Sequence, residues 1–354
     1  MSARYKIPTK LITMISVAVC VWSVWLLGLG PANAFGYIVD NWQVALTMVG
    51  GSLIAGISSV GGGAVAFPVF TKMLHVAPAD AKVFSLAIQS VGMTAAAITI
   101  WRNRIPVDWT VVYYGSLGGL LGMGLGCSFL QVAVLSPAVL KLSFTAVLAS
   151  FAMTLLYLNH SQRECHERVP VWGFNEVCIV VAAGTIGGLM SALIGNGIDI
   201  FLFSVMVLLF RVSEKVSTPT SVILMAINAV VGFGLNALLM DSFNEVVQSY
   251  WFAAIPIVVI GAPLGAIICN FLARQAIANL LVSLIAIEVV SSLLLVPLDF
   301  AIGSFSLMVL IVFSGLNYWM YRVQFYEPRV FSPTPLSGTE AVSPLATKPT
   351  MARF

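Results

Sequence analysis

The chain has 354 residues, of which 59% are hydrophobic and only 9% are charged, and its mean hydropathy is +0.99. Soluble domains carry about 25% charged residues, so this composition excludes a large soluble domain and predicts an all-α polytopic membrane protein. The net charge of +3 gives no indication of nucleic-acid binding, and the five cysteines show no metal-ligand spacing. We therefore expect no nucleic-acid partner, no metal and no cofactor.

Apolar runs long enough to cross a bilayer of about 30 Å recur along the whole chain. They lie at about 11–30, 42–60, 82–101, 108–131, 137–158, 174–194, 217–239, 249–272, 276–297 and 300–321. Two shorter apolar pieces, at about 64–74 and 198–210, each follow three flexible residues and are too short to cross as upright helices. We therefore predict that 42–74 and 174–210 are broken helical hairpins that enter the membrane and return to the same side.

The first apolar run permits two interpretations. Its basic start, its apolar core and the small residues Ala32-Asn33-Ala34 are typical of a cleavable signal peptide. A core of about 20 residues also suits a retained anchor helix. Both interpretations leave Phe35 on the outer side, so the topology of the remaining chain does not depend on the choice.

The positions of the basic residues support the two hairpins. With the N-terminus in the cytoplasm, fourteen Lys and Arg residues fall inside, and Lys72, Lys82 and Lys141 fall outside. This is the positive-inside distribution, and it would collapse if either hairpin were a single crossing. We therefore predict a multi-pass protein of the cell inner membrane with both termini in the cytoplasm.

Two halves of the chain repeat one order, a broken hairpin followed by three spans. Because a hairpin adds no net crossing and three spans add an odd number, the halves are inverted, as in many secondary transporters. Glycines four residues apart between 115 and 126, and again at 261 and 265, predict closely packed helices. The predicted organisation is an anchor helix or signal peptide (1–34), membrane repeat one (35–158), a cytoplasmic loop (159–173), membrane repeat two (174–297), an extra C-terminal transmembrane helix (298–322) and a disordered cytoplasmic tail (323–354).

The two helix breaks form the main candidate site. They are Gly61-Gly62-Gly63 and Gly195-Asn196-Gly197, about 134 residues apart. Unwound backbone inside a membrane must be covered by protein or face a watery cavity, and the N–H groups that open the following half-helix attract anions. The sequence therefore predicts an anion cradle, and the alternative is a tight helix crossing without a ligand.

Neutral polar side chains in the spans after the hairpins are further candidates for the site. Ser85, Gln89, Thr220 and Asn228 can donate hydrogen bonds to anion oxygens, and interhelical hydrogen bonding is the alternative. No Arg or Lys lies at the centre of a predicted span. We therefore expect dipoles and amides, rather than side-chain cations, to bind the anion.

Two acidic residues are candidates for proton coupling. Glu288 lies within a predicted span, where a charge is costly and usually faces a cavity and titrates; a neutral Glu hydrogen-bonded between helices is the alternative. Asp199 follows the second break, where it either satisfies free N–H groups at a helix start or takes up a proton when an anion binds.

Several of these segments resemble the TauE/SafE family of sulfite exporters, also called TSUP. Gly56 to Pro68 (GISSVGGGAVAFP), Ser85 and Val107-Asp108-Trp109 resemble the first repeat of the family. Gly184 to Gly197 (GTIGGLMSALIGNG), with Thr220-Ser221, resembles the second, from which it departs at Asn196 and Asp199. The resemblance covers about residues 42–297. It implies inverted repeats in an inner membrane and movement of small sulfur-containing or organic anions such as sulfite, thiosulfate or sulfonates.

These observations together predict a secondary transporter of small anions that works by alternating access and is coupled to protons or to the membrane potential. An anion channel of the same fold is the first alternative. A membrane-embedded enzyme or an assembly factor is disfavoured, because the sequence has only three histidines and no nucleophile–base pair. The expected partners are a small anion and the lipid bilayer. The oligomeric state is left open, with a homodimer as one alternative.

Overall fold

The structure, a computed structural model, describes residues 9–59, 70, 74, 76–130, 136–159, 165–296 and 299–323. Within these residues it consists of α-helices joined by short loops, with no β-strand. Two π-helical turns, Gly126–Leu130 and Val205–Leu209, directly continue the helices Trp109–Leu125 and Ile198–Ser204. The helices are α1 (Thr9–Leu29), α2 (Pro31–Asp40), α3 (Trp42–Ile57), α4 (Pro78–Arg102), α5 (Trp109–Leu125), α6 (Pro137–Asn159), α7 (Phe174–Ile194), α8 (Ile198–Ser204), α9 (Glu214–Leu238), α10 (Glu245–Phe271), α11 (Arg274–Leu295) and α12 (Phe300–Arg322).

Eight of the described helices are long and apolar enough to cross a membrane: α1, α4, α6, α7, α9, α10, α11 and α12. The predicted all-α polytopic membrane fold is therefore confirmed. The predicted span at 108–131 is a 17-residue α-helix followed by a five-residue π-helical turn. The short helix α2 was not predicted. It forms because Gly30 adopts a positive φ of 76°, which glycine tolerates, and Pro31 opens the new helix.

Helices from the two halves of the chain pack in reciprocal pairs. α3 of the first half packs against α10 of the second, and α7 of the second half packs against α5 of the first. The remaining spans pair with their own counterparts, α4 with α9 and α6 with α11. Two equivalent halves related by a two-fold axis would produce this pairing. Their inverted orientation stays a prediction.

Glycines form the closest helix contacts, as their spacing predicts. A Cβ atom at Gly118 or Gly122 on α5 would overlap a backbone carbonyl oxygen of α7, and one at Gly56 on α3 would overlap the Ala262 carbonyl oxygen on α10. Gly265 on α10 is packed equally tightly against the backbone of α3. These four positions let two pairs of backbones approach directly, which is how small residues stabilise helix association in lipid.

The first and last helices lie at the periphery of the bundle. Only 17% of the most apolar window of α1 and 6% of that of α12 are buried. Two indole N–H groups on α1, of Trp22 and Trp25, donate to backbone oxygens of α10 at 3.0 Å. On α12 the Asn317 amide donates to the Ser150 hydroxyl of α6. The remaining apolar surface of both helices is therefore available to lipid.

Candidate functional site

The second predicted helix break is present in the structure. α7 ends at Ile194, three residues follow without helical structure, and α8 begins at Ile198. Gly195 has φ of 93°, a left-handed conformation that glycine adopts without steric cost. Its N–H donates to the Ser191 carbonyl at 2.8 Å, and the Ile198 N–H donates to the Ser191 hydroxyl at 3.1 Å. Ser191 therefore accepts the last helical hydrogen bond of α7 through its carbonyl group and satisfies one amide that unwinding sets free through its hydroxyl group.

Two side chains of α4 hold the carbonyl group of the break. The Ser85 hydroxyl and the Gln89 amide each donate to the Gly195 carbonyl oxygen at 3.1 Å, and Gln89 also donates to Ser85 at 2.7 Å. Both amide hydrogens of Gln89 are therefore engaged. In the structure these side chains position the break against α4, and their role as donors to an anion stays a prediction.

A cavity of about 110 Å³ lies beside this break. A volume of about 10–15 Å³ measured in this way admits one water molecule, so an oxyanion of the size of sulfite can enter. Its lining is mostly apolar. The described polar residues that line it are Ser52, Lys82, Ser85, Gln89, Lys141, Asn196 and Glu288. Four predicted site residues, Ser85, Gln89, Asn196 and Glu288, thus share one cavity.

Two lysines also line the cavity, and the sequence did not predict their participation. Lys82 lies in the second turn of α4, is half-buried and has no hydrogen-bond or ion-pair partner among the described residues. Lys141 lies in the second turn of α6, is 7% exposed and forms an ion pair with Glu288 of α11. The cavity that four predicted site residues share thus also contains two side-chain cations, and the expectation that dipoles and amides bind the anion stays a prediction. Both lysines lie near the starts of their helices. A lysine at this position in a sequence indicates an anchor at the boundary of the membrane rather than a residue of a binding site.

The buried ion pair belongs to a small polar cluster between α6 and α11. The Glu288 side chain is 2% exposed, and its Oε1 atom also accepts a 3.4 Å hydrogen bond from the Ser292 hydroxyl. The Thr145 hydroxyl lies 3.1 Å from that of Ser292. The second carboxylate oxygen of Glu288, Oε2, is buried and accepts no hydrogen bond from the described residues. Glu288 therefore uses only half of its acceptor capacity.

Five described residues of the predicted site are not among those that line this cavity: the two glycines of the break, Gly195 and Gly197, and also Thr220, Asn228 and Asp199. Thr220 accepts a hydrogen bond from the Asp108 N–H at 3.1 Å, at the end of the molecule where α4 ends. Asn228 packs beside Gly119 of α5, and its buried Oδ1 accepts no hydrogen bond. Asp199 is fully buried in the first turn of α8, beside the backbone of residues 197 and 200, and neither of its oxygens accepts a hydrogen bond of ordinary geometry. The binding roles of Thr220 and Asn228 and the coupling role of Asp199 stay predictions.

The first predicted break, Gly61-Gly62-Gly63, lies outside the described residues. α3 ends before it, at Ile57, and Ser58 already has extended backbone with ψ of 158°. Phe70, the next described residue, lines the cavity and stacks on Phe84 at 4.7 Å between ring centroids. The described residues on either side of this segment, in α3 and at Phe70, therefore reach the same cavity as the second break.

The opposite end of the described bundle is closely packed. A crevice there, lined by Gly56, Lys215 and Cys269 among others, has no room for a water molecule. Glu214 at the start of α9 is fully buried and lies 3.7 Å from the Arg274 guanidinium of α11. The described lining of the cavity runs from Pro78, at the start of α4, to Asn196 in the break.

The family of this chain follows from comparison with known proteins. A model of the sulfite exporter TauE/SafE family matches residues 44–292. A search of curated proteins and a search of solved structures each found no match. The matched range begins in α3 and ends in α11, so it includes the second break and all the described polar residues of the cavity. The chain belongs to the sulfite exporter TauE/SafE family, and it is a multi-pass protein of a family of membrane transporters.

Proposed function

We propose that this protein is a secondary transporter that moves small sulfur-containing or organic anions across the cell inner membrane by alternating access. The observation that carries the proposal is the Lys82 side chain, which has no ion-pair partner among the described residues, in a cavity that reaches a helix break. A lysine without a counter-ion in an apolar lining attracts an anion strongly, because the surrounding dielectric screens the charge poorly.

The charge in the cavity fits this substrate class. With Lys82, Lys141 and Glu288 ionised, the described lining carries a net charge of +1. A bound monoanion would neutralise it. Asn196, which lines the cavity from within the break, lies where it can contribute an amide to the anion. The apolar remainder of the lining suits a ligand that is released again rather than held tightly.

The packing of the bundle supports alternating access. The cavity lies beside the break on the side where α4 begins, while at the opposite end a crevice has no room for a water molecule and Glu214 of α9 pairs with Arg274 of α11. The reciprocal packing of the two halves provides equivalent elements at both ends, as transporters with repeated halves require. We propose that both termini lie in the cytoplasm, which would place the cavity on the outer side in this conformation.

An anion channel of the same fold is the second candidate, and transport kinetics separate the two. The purified protein is reconstituted into liposomes, and uptake of labelled thiosulfate is measured with and without unlabelled thiosulfate inside. A transporter predicts saturation and faster uptake when the inside is loaded. Linear uptake that does not respond to internal anion, with single-channel currents in planar bilayers, would contradict the proposal and favour the channel.

A further inference from the structure

We propose that the cavity binds an anion with an unbranched apolar tail, whose charged head lies at Lys82 and whose tail occupies a separate apolar subsite. The apolar subsite is formed by Ala55, Met93, Val258 and Ala262. The inference rests on the proposed function, because it narrows the class of anion that the same cavity would carry. It starts from the different chemistry of the residues that line the cavity at its two ends along α4.

The cavity follows α4 for several turns. The residues of α4 that line it run from Pro78 to Met93, which at about 1.5 Å per residue is about 22 Å of helix. Lys82 lies in the second turn of this helix. Met93 lies about three turns further along, at a distance of about 16 Å measured along the helix axis. One cavity therefore connects a charged group near the start of α4 with an apolar residue near its middle.

The far end of the cavity is built from apolar residues of three helices. Met93 of α4, Ala55 of α3 and Ala262 of α10 belong to one buried apolar cluster, and each of them is at most 5% exposed. The Ser52 hydroxyl of α3, which also lines the cavity, already donates to the Met48 carbonyl oxygen at 2.6 Å. A hydrocarbon chain placed here would therefore contact apolar side chains and leave the Ser52 hydrogen bond intact.

Apolar side chains also line the cavity between its two ends. Five of them pack together in a second buried apolar cluster: Met48, Phe70, Phe84, Ile88 and Val258. Phe84 and Ile88 are four residues apart, so they lie on one face of α4. The residues that follow them, Ser85 and Gln89, donate to the break. α4 thus presents an apolar row beside a polar row, and an unbranched chain can follow the apolar row from Lys82 to the apolar subsite.

The size of the cavity exceeds that of an inorganic oxyanion. Its volume of about 110 Å³, at about 10–15 Å³ for each water-sized group, holds roughly seven to eleven such groups. Sulfite and a sulfonate head group each have four non-hydrogen atoms, so the remaining space suits a tail of about three to seven carbons. An alkyl tail in this space would be removed from water together with the apolar side chains around it, which is favourable.

The test measures binding of unbranched alkane-1-sulfonates with one to eight carbons, all of which are monoanions at neutral pH. The purified full chain is placed in lipid nanodiscs, and calorimetry with empty nanodiscs corrects for partition of the longer tails into lipid. Affinity should rise by about two- to fourfold for each added methylene group and level off at about seven carbons. 1-Hexanol, which has the tail without the charge, should bind at least about tenfold more weakly than hexane-1-sulfonate.

Two variants change the size of the apolar subsite in opposite directions. Ala55→Leu fills part of it, so the ratio of hexane-1-sulfonate affinity to methanesulfonate affinity should fall by about tenfold. Met93→Ala enlarges it, so affinity should continue to rise up to octane-1-sulfonate. Met153→Ala is the matched control, because it makes the same change at a side chain of α6 that is 51% exposed, and it should leave the ratio unchanged. Either of the first two variants tests the subsite if the other does not fold.

The outcomes distinguish this inference from the function on which it rests. If no sulfonate binds at any tail length, the proposed anion site is wrong, and the inference fails with it. If methanesulfonate binds and affinity does not increase between one and six carbons, the inference alone is wrong. Binding of 1-hexanol as tight as that of hexane-1-sulfonate would overturn the joint role of the charge and the tail. An unaltered dependence on tail length in both Ala55→Leu and Met93→Ala would show that the tail does not occupy the apolar subsite.

Discussion

Replacing Lys82 by methionine should weaken anion binding by about 10- to 150-fold. Methionine keeps most of the apolar length of the side chain, so the change mainly removes the charge. Two unit charges about 4 Å apart attract by about 4 kcal/mol at an effective dielectric constant of about 20, which is an upper bound for the half-buried Lys82. Charged hydrogen bonds contribute about 1.5–3 kcal/mol net, and each 1.4 kcal/mol corresponds to about a tenfold change in affinity.

Equilibrium binding of methanesulfonate at neutral pH and low salt measures this effect. Lys82→Arg should retain most of the affinity, because the positive charge stays at the cavity wall. Lys215→Met is the matched control, because it removes the same charge at the opposite end of the bundle, beside the crevice that has no room for a water molecule. The Lys82→Met and Lys215→Met proteins should unfold at similar temperatures. Binding by Lys82→Met within twofold of the unmodified protein would refute the assignment of Lys82 as the counter-charge.

Two further predictions concern the backbone geometry that builds the site. Gly195→Ala should destabilise the protein by about 1–2 kcal/mol, which is the cost of a left-handed conformation for a residue with a Cβ. Its unfolding temperature in detergent should therefore fall. The control Gly303→Ala, whose added Cβ meets nothing within 4 Å, should leave the unfolding temperature unchanged. Gly122→Ala should cost about 1–3 kcal/mol through overpacking of α5 against α7, whereas Gly124→Ala on the same helix should be neutral because its added Cβ meets open space. Equal unfolding temperatures for the Gly195 and Gly303 variants would contradict the left-handed conformation of Gly195. Equal unfolding temperatures for the Gly122 and Gly124 variants would contradict the close contact at Gly122.

Features that depend on local sequence were predictable. A helix cannot continue smoothly through Gly195-Asn196-Gly197. Glycines that are four residues apart lie on one face of a helix, and this face can approach a neighbouring helix closely. The break and the close contacts between α5 and α7 therefore follow from short stretches of sequence. The composition alone excluded a soluble fold, which is why the membrane class could be predicted before any helix was placed.

The participation of the two lysines depends on tertiary contacts, and for that reason it was missed. Lys141 and Glu288 are 147 residues apart, and nothing in either segment shows that α6 and α11 pack together. One signal for Lys82 was present, since residues 82, 85 and 89 are three and four apart and share one face of α4. That face meets the break. A buried glutamate in a span also predicts a cationic partner, and Lys141 met that requirement.

The most direct test of the anion site is a density map of the protein with selenite, which has the shape of sulfite and contains an anomalous scatterer. A selenium peak in the cavity within hydrogen-bond reach of the Lys82 ammonium group, absent from crystals of Lys82→Met, is the predicted result. A peak at another place in the protein, or one that persists unchanged in Lys82→Met, would contradict the account.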